Sequence, residues 1–260
     1  MVSEGVNVLV CIKRVPGTAG TVVLTPDEQG VDARHVGFTV SPHEECAVEA
    51  AVEVVEAHGG SSTVLTLGPE DAVEQLRDAL AMGIGSAVHV VADSDGYGPA
   101  DVASAIAGVV NAAAERPQLL LFGTDAADTG DFQVGIRVAY LLGLPVVSGV
   151  RSFEVDAAGG RVVATGDGPE GEETFEVPLP AVLAVKEGGI TPRYPSIPGR
   201  LKAKRAPVER VEPVAPVAGS GRVRLTLPPE QPSAVEILGT GPDAAGAVVD
   251  LLQKIGVVNR

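Results

Sequence analysis

The sequence predicts an α/β protein built on a doubly wound, mostly parallel β-sheet. Hydrophobic residues make up 45% of the chain but aromatic residues only 3%, so Val, Ala and Leu must fill the core. Short apolar runs rich in β-branched residues alternate with helical patterns as far as Pro145. Such alternation is typical of parallel strands buried on both faces beneath helices. Beyond Pro145, a change to polar–apolar alternation predicts an antiparallel hairpin at the sheet edge.

The predicted elements of the first part follow one another regularly. The apolar run 6–12 reads as a buried strand. Ser41-Pro42-His43-Glu44 then gives a strong helix start, with Ser41 as cap, Pro42 at the first position and Glu44 closing a capping box, and the helix runs to Gly59. The remaining elements are strands over 62–67, 87–91 and 119–122, and helices over 69–82, 102–114 and 131–142.

The hydrophobic pattern of residues 151–185 predicts the edge hairpin and one more core strand. Segments 151–155 and 161–164 flank the turn DAAGG, and 174–177 adds a third alternation. The acidic cluster 167–173 lies on a Gly/Pro-rich stretch and is interpreted as a solvated loop. Residues 180–185 read as the last core strand.

Residues 188–260 read as an arm rather than as part of the compact domain 1–187. Residues 188–234 hold many prolines and glycines and show no helical period. A stretch of this length is too long to be a connecting loop inside a compact domain. The stretch carries a basic run, residues 200–205, and is followed by an amphipathic helix over 242–255. We expect the arm to lie on a partner protein; the alternative is a solvated linker to a loosely docked helix.

Charge and cysteine content narrow the function classes. The formal net charge is −15, with 34 acidic against 19 basic residues, which disfavours nucleic acid and anionic membrane surfaces as partners. Cys11 and Cys46 form no motif and read as small buried hydrophobes of a reducing compartment. The apolar run near the start is too short for a membrane span. We therefore expect a cytoplasmic protein without membrane insertion.

Three loops that follow predicted strands are candidates for ligand binding: 11–17, 66–69 and 123–135. The third combines glycines with polar side chains and a helix start, which suits a phosphate or pyrophosphate group. Its alternative interpretation is an ordinary turn with Asp131 as helix cap. Neither the GxGxxG fingerprint nor the P-loop signature is present.

Catalytic and metal-binding patterns are weak throughout the sequence. Four histidines, His35, His43, His58 and His89, are scattered without metal-ligand spacing. His89 lies in an apolar strand and reads as a core residue. The sequence therefore predicts no catalytic side chain and no metal site.

Five segments, in order along nearly the whole chain, resemble the β subunits of electron transfer flavoproteins. The third of them is the most telling because it matches a long block of that family. The segments are VNVLVCIKRVPG, SPHEECAVEAAVE, TLGPEDAVEQLRDALAMGIGSAVHV, GTDAADTGDFQVG and EETFEVPLPAVLAVKEGGITPRYPSIPGRLKAKRAPVE.

The resemblance implies a Rossmann-like domain that pairs with an α subunit in a heterodimer. The pair would share a redox-active FAD, and the β subunit would bury an AMP or, in bifurcating members, a second FAD. Matched residue by residue, the implied nucleotide site consists of Cys11, Ser41, Thr66, Leu67, Gly123, Ala126, Ala127, Asp128, Asp131, Gln133, Val134 and Gly135.

The same resemblance implies an electron carrier rather than an enzyme. Ile197, in PRYPSIPG, matches the family's partner-docking position, which implies a flavin dehydrogenase as donor and a quinone reductase or similar acceptor. Ser41 replaces the family's usual Asn, and His43 stands where an aromatic residue is common. Two alternatives stay open at this point: a bifurcating-type subunit with a second FAD, and a hydrolase-like nucleotide-binding enzyme or sensor without a flavin partner.

Overall fold

The computed structural model of the chain describes residues 5–17, 19–93, 96–229 and 235–258. The chain divides into two compact units, residues 1–225 and 226–260. The first unit holds a nine-stranded sheet and five helices among its described residues, and the second holds one helix.

Seven neighbouring strands of the large sheet are parallel, and two further strands extend it antiparallel. A separate antiparallel pair, β2 (Val15–Pro16) and β3 (Phe38–Thr39), follows the first strand. The large sheet has the order β11-β5-β4-β1-β6-β10-β7-β8-β9 and contains β1 (Val8–Cys11), β4 (Ser62–Gly68), β5 (Ser86–Val91), β6 (Leu119–Gly123), β7 (Val146–Asp156), β8 (Arg161–Gly168), β9 (Gly171–Pro178), β10 (Ala181–Val185) and β11 (Glu209–Val211).

Helices cover both faces of the parallel part, so the predicted doubly wound fold is confirmed. Val8 and Val10 of β1 pack in one core with α1 and α2, whereas Leu9 and Cys11 pack in a second core with α3 and α4. A strand buried on both faces needs the continuous apolar run that β1 carries. The helices are α1 (Pro42–His58), α2 (Val73–Met82, after a 3₁₀ turn at Glu70–Ala72), α3 (Pro99–Ala112), α4 (Val134–Leu142) and α5 (Ile197–Ala203).

The strand order reverses direction between β1 and β6. From β1 the chain moves outward to β4 and β5, and it then returns to place β6 on the other side of β1. Loops that leave neighbouring parallel strands in opposite directions open a crevice at the carboxyl ends of those strands, which is where ligands bind in such sheets. This topology therefore predicts the crevice beyond Cys11 and Gly123.

The acidic segment 167–173 is part of the edge hairpin, so its interpretation as a solvated loop was wrong. β8 continues to Gly168 and β9 begins at Gly171. Asp167 accepts hydrogen bonds from Arg151 (2.8 Å) and Lys186 (3.1 Å). These cross-strand ion pairs favour a strand that residue preferences alone disfavour.

Two helix predictions also differ from the structure. The helix predicted from Asp131 begins at Val134, because Phe132 has a left-handed backbone (φ 55°) that no helix interior accepts. Residues 188–234, predicted without a helix, contain α5; Ser196 caps it by accepting a hydrogen bond from the Gly199 N–H (3.1 Å). Seven residues are too few to show a helical period in the sequence.

The second unit contains α6 (Ala245–Lys254), preceded by a 3₁₀ turn over Gly241–Ala244. This helix agrees with the amphipathic helix predicted over 242–255. Among the described residues, no helix is long and apolar enough to cross a membrane.

We predict that Leu121→Ala destabilises the protein by about 2–5 kcal/mol, because Leu121 on β6 is fully buried and its truncation leaves a cavity. Leu141→Ala, which removes the same atoms from a half-exposed position on α4, should cost about 1 kcal/mol or less. Urea unfolding followed by circular dichroism measures both. Equal losses would show that β6 does not lie at the centre of the core.

Candidate functional site

The first turn of α1 forms one wall of the crevice. Ser41 is almost fully buried, and its Oγ accepts a hydrogen bond from the backbone N–H of Ala127 (3.0 Å). Glu44 reaches back to the backbone N–H of Ser41 (3.2 Å), the reciprocal contact that the capping box predicted. The helix start is therefore joined directly to the loop after β6.

Glu44 is a buried carboxyl group on the floor of this crevice. Removal from water raises its pKa from the ordinary 4.5 to about 8, and this effect outweighs the backbone N–H groups of Lys13 and Ser41 that stabilise the carboxylate. At neutral pH the group is therefore mostly protonated. A neutral floor does not repel an anion bound above it.

The loop after β1 is linked to the loop after β6 by an ion pair. Lys13 Nζ lies 2.8 Å from a carboxylate oxygen of Asp128, and both side chains are partly exposed. Such a pair contributes little to stability. It does place a cation beside Asp128 at the open side of the crevice.

The segment 123–135 is held at both ends by close packing. A Cβ on Gly123 would lie 2.7 Å from Glu44 Cγ, and one on Gly135 would lie 3.2 Å from the Phe122 ring. Thr124 binds back to β10 through its N–H, which donates to Val185 O (2.8 Å). Glycine is needed at Gly123 because helix α1 approaches the backbone so closely there.

His43 joins the same segment to the start of the arm. Its Nδ1 accepts a hydrogen bond from the backbone N–H of Glu187 (2.8 Å). Its Nε2 lies 2.9 Å from Asp125 Oδ1, although the two groups are too poorly aligned for a hydrogen bond. His43 is therefore a polar bridge between the loop after β6 and the start of the arm.

The structure brings the predicted site residues to one end of the sheet but gives them unequal access. Cys11, Thr66 and Leu67 are buried, and the Thr66 hydroxyl donates to the carbonyl of Ile12 (2.9 Å). Ser41 and Gly135 are buried at the loop ends. The residues that remain partly or fully accessible are Gly123, Ala126, Ala127, Asp128, Asp131, Gln133 and Val134.

The accessible backbone at the start of α4 suits an anion better than a metal ion. The N–H groups at the start of α4 follow Gln133, whose side chain is occupied by Arg137 (2.7 Å), and they have no partner within the helix. Among the described residues, no group of three His, Cys, Asp or Glu side chains could hold a metal ion. His89 is buried and lies 3.1 Å from Gly68 O, as expected of a core residue.

A second candidate surface is the loop that carries Ile197. Arg193 fixes this loop to α1: its Nε donates to buried Glu49 (2.8 Å) and its Nη1 to Glu56 (2.7 Å). Such two-point pairing of a guanidinium fixes direction as well as position. Beyond this anchor, Tyr194 is 96% and Ile197 78% exposed. An anchored loop with exposed apolar tips is suited to contact another protein.

Comparison with known proteins assigns this chain to one family. The family model for the electron transfer flavoprotein domain matches residues 29–216. The chain is 33% identical over 232 residues to the electron transfer flavoprotein subunit beta of Syntrophomonas wolfei, covering 89% of each chain. It is 32% identical to that of Bacillus subtilis (79% of each chain) and 35% identical to the mitochondrial one of Oryza sativa (80% of this chain, 82% of the relative).

The chain belongs to the electron transfer flavoprotein β-subunit family. The resemblance found in the sequence is thus confirmed. Several contacts that sequence reasoning missed join residues distant in the chain. They include Lys13 with Asp128, Arg193 with Glu49 and Asp101 with residues 217–219, and the sequence showed each only as a charged residue without an indicated partner.

We predict that Glu44 makes the stability of this β subunit fall as pH rises. Its folded-state pKa lies above the unfolded value, so the folded chain holds an extra proton between about pH 4.5 and 8, and stability is lost across this window by at most about 1.4 kcal/mol per pH unit. Glu44→Gln should remove this slope, whereas Glu74→Gln on the exposed side of α2 should keep it. Urea unfolding at several pH values measures how the free energy of unfolding of each protein changes with pH. Identical slopes for wild type and Glu44→Gln would contradict the burial of a protonated carboxyl.

Proposed function

We propose that this chain is the β subunit of a heterodimeric electron carrier in the cytoplasm. It holds an FAD together with an α subunit, accepts electrons from flavin dehydrogenases and passes them to a quinone reductase or similar acceptor. The observation that carries the proposal is the switch-point crevice, with its close loops and neutral floor, in a chain of the β-subunit family. This function requires no side chain of the site to act as a general acid or base.

The crevice fits the phosphate of a nucleotide such as AMP. The N–H groups at the start of α4 are free to meet a negative charge, and the helix dipole favours one there. Gly123 permits close backbone approach, and Lys13 supplies a cation at the rim. Protonated Glu44 adds no repulsion from below. The twelve residues predicted from the sequence are proposed as this site, with Cys11, Thr66 and Leu67 acting as its packed base rather than as polar contacts.

A flavin supplies one- and two-electron redox chemistry when bound, and the chain supplies position and surroundings. Ser41 holds the 123–135 loop through Ala127, so the loop keeps its shape at the junction with a partner. His43 ties this loop to the arm at Glu187. Both contacts bind and orient, which is the role proposed for the β subunit.

We also propose that residues 1–187 form the nucleotide-binding domain and that the arm, residues 188–260, embraces the α subunit. The basic run 200–205 lies on an otherwise acidic chain, and the apolar side chains Val248 and Val249 of α6 are both partly exposed. An apolar helix face and a basic run on an acidic chain are typical of surfaces completed by a partner.

Ile197 is proposed as the anchor that meets the dehydrogenase. It stands at the first position of α5, beside exposed Tyr194, on a loop fixed by Arg193. An aliphatic side chain on a fixed loop contributes binding energy without a large ordering cost.

We predict that the chain purifies with its α subunit as a yellow heterodimer with a flavin spectrum. Nucleotides released by denaturation are separated by chromatography and counted. One FAD and one AMP per heterodimer support the carrier, and two FAD support the bifurcating alternative. A colourless homodimer that hydrolyses ATP would contradict the proposal and favour the hydrolase-like alternative.

We predict that Ile197→Ala slows electron transfer from the dehydrogenase about tenfold, as expected for the loss of an apolar anchor, and leaves flavin content unchanged. Val22→Ala, an exposed aliphatic position outside the arm, is the matched control and should keep the wild-type rate. Rates are measured by flavin absorbance against dehydrogenase concentration. Loss of flavin in Ile197→Ala would instead assign the loop a structural role.

A further inference from the structure

Glu44 lies directly behind the backbone that forms the candidate nucleotide crevice. The residue is only 7% exposed, and its Cγ occupies the space in which Gly123 would otherwise carry a side chain. Its Oε2 accepts a hydrogen bond from the backbone N–H of Ser41 (3.2 Å), and the Ser41 hydroxyl accepts one from the N–H of Ala127 (3.0 Å). A ligand that touches Gly123, Ser41 or Ala127 is therefore separated from this carboxyl group by one layer of atoms.

The charged and titratable groups that face Glu44 come from the elements on either side of it. Lys13, in the loop after β1, attracts the ionised carboxylate, whereas Asp128, in the loop after β6, repels it. Lys13 and Asp128 also pair with each other (2.8 Å), so their effects on Glu44 largely cancel. Cys11, at the end of β1, stays uncharged because burial raises the pKa of its thiol far above the ordinary value.

The neighbouring histidine of α1 directs its ring elsewhere. His43 Nδ1 accepts a hydrogen bond from the backbone N–H of Glu187 (2.8 Å), and its Nε2 lies 2.9 Å from Asp125 Oδ1. Among the described residues, no cation lies within ion-pair distance of the Glu44 carboxyl group. Removal from water therefore decides its charge, and the proton is held until the pH approaches 8.

An ionised Glu44 would act on any anion in the crevice. Its charge would lie behind Gly123 and Ser41, where little water can screen it, and charges in such surroundings interact more strongly than in water. A nucleotide phosphate is itself doubly charged above about pH 6. The two negative groups would repel each other, whereas the protonated carboxyl group causes no such repulsion.

We propose that Glu44 is a proton switch for the nucleotide crevice, which binds a nucleotide phosphate firmly when the Glu44 carboxyl group carries its proton and loses affinity when it does not. This rests on the proposed function, in which the crevice holds a nucleotide. Glu44 acts through the backbone of Gly123 and Ser41 and does not touch the ligand.

The proton in this switch is exchanged with the solvent. When a phosphate binds beside an ionised Glu44, the carboxylate takes up one proton from water and the repulsion is removed. By linkage, a ligand that favours the protonated form binds less tightly as the pH rises through the pKa of the free site, which is about 8. The phosphate has already lost its last proton below this range, so its own titration does not contribute.

Calorimetric titration of AMP into the heterodimer, after its nucleotide has been removed, tests the proposal. We expect the dissociation constant of wild type to be about tenfold higher at pH 9 than at pH 7, because the proton must then be supplied to a group that is mostly ionised. Titrations at pH 8 in two buffers of different ionisation enthalpy should show an uptake of about half a proton per AMP.

Three variants identify the group that carries the proton. Glu44→Gln keeps a neutral side chain at every pH, so it should bind AMP equally well at pH 7 and pH 9 and take up no proton. Glu74→Gln, on the exposed side of α2, is the matched control and should keep the wild-type pH dependence. Lys13→Gln removes an attraction for the carboxylate and should move the midpoint of the pH dependence upward.

The wild-type measurements alone can overturn the proposal, even if Glu44→Gln does not fold. AMP binding that is equally tight at pH 7 and pH 9, without proton uptake, would contradict the switch and leave the proposed function standing. The full pH dependence in a folded Glu44→Gln protein would assign the proton to another group. No AMP binding at any pH would instead overturn the proposed nucleotide site, and this inference with it.

Discussion

The site depends on the close contact between the first turn of α1 and the end of β6. Gly123 has no room for a side chain because Glu44 occupies that space, and Ser41 of the same turn holds Ala127. The contact buries Glu44, and burial keeps its carboxyl protonated at neutral pH. One packing constraint thus shapes the loop, sets the charge of the crevice floor and places the start of α4 at its rim.

The sequence predicted the parallel core well because its signals are local. β1 is a continuous apolar run, and Ser41-Pro42-His43-Glu44 carries its own helix start, so both were found near their observed bounds. The hairpin strands around Asp167 and the late start of α4 were not predicted. Their causes, cross-strand ion pairs and the left-handed Phe132, depend on neighbours or on backbone geometry that residue type does not reveal.

The location of the candidate site was predictable, but the access to its residues was not. Strand ends and the family resemblance both pointed to the loops after β1, β4 and β6, and the structure brings these loops to one edge of the sheet. Which side chains are buried follows from the tertiary packing of α1 on β6. Thr66, for example, looks like a polar ligand in the sequence. In the structure its hydroxyl donates a hydrogen bond to the carbonyl of Ile12. The arm shows the same limit, since the bonds between Asp101 and 217–219 join residues more than a hundred positions apart.

The central claim is that a nucleotide binds at the β1–β6 switch point through the loop after β6 and the start of α4. Amide hydrogen exchange of the nucleotide-free heterodimer, with and without added AMP, tests it most directly. The account predicts slower exchange at residues 126–135 when AMP is present, with no change at the opposite end of α1 near His58 and Gly59. Unchanged exchange at 126–135, together with protection elsewhere in the chain, would contradict it.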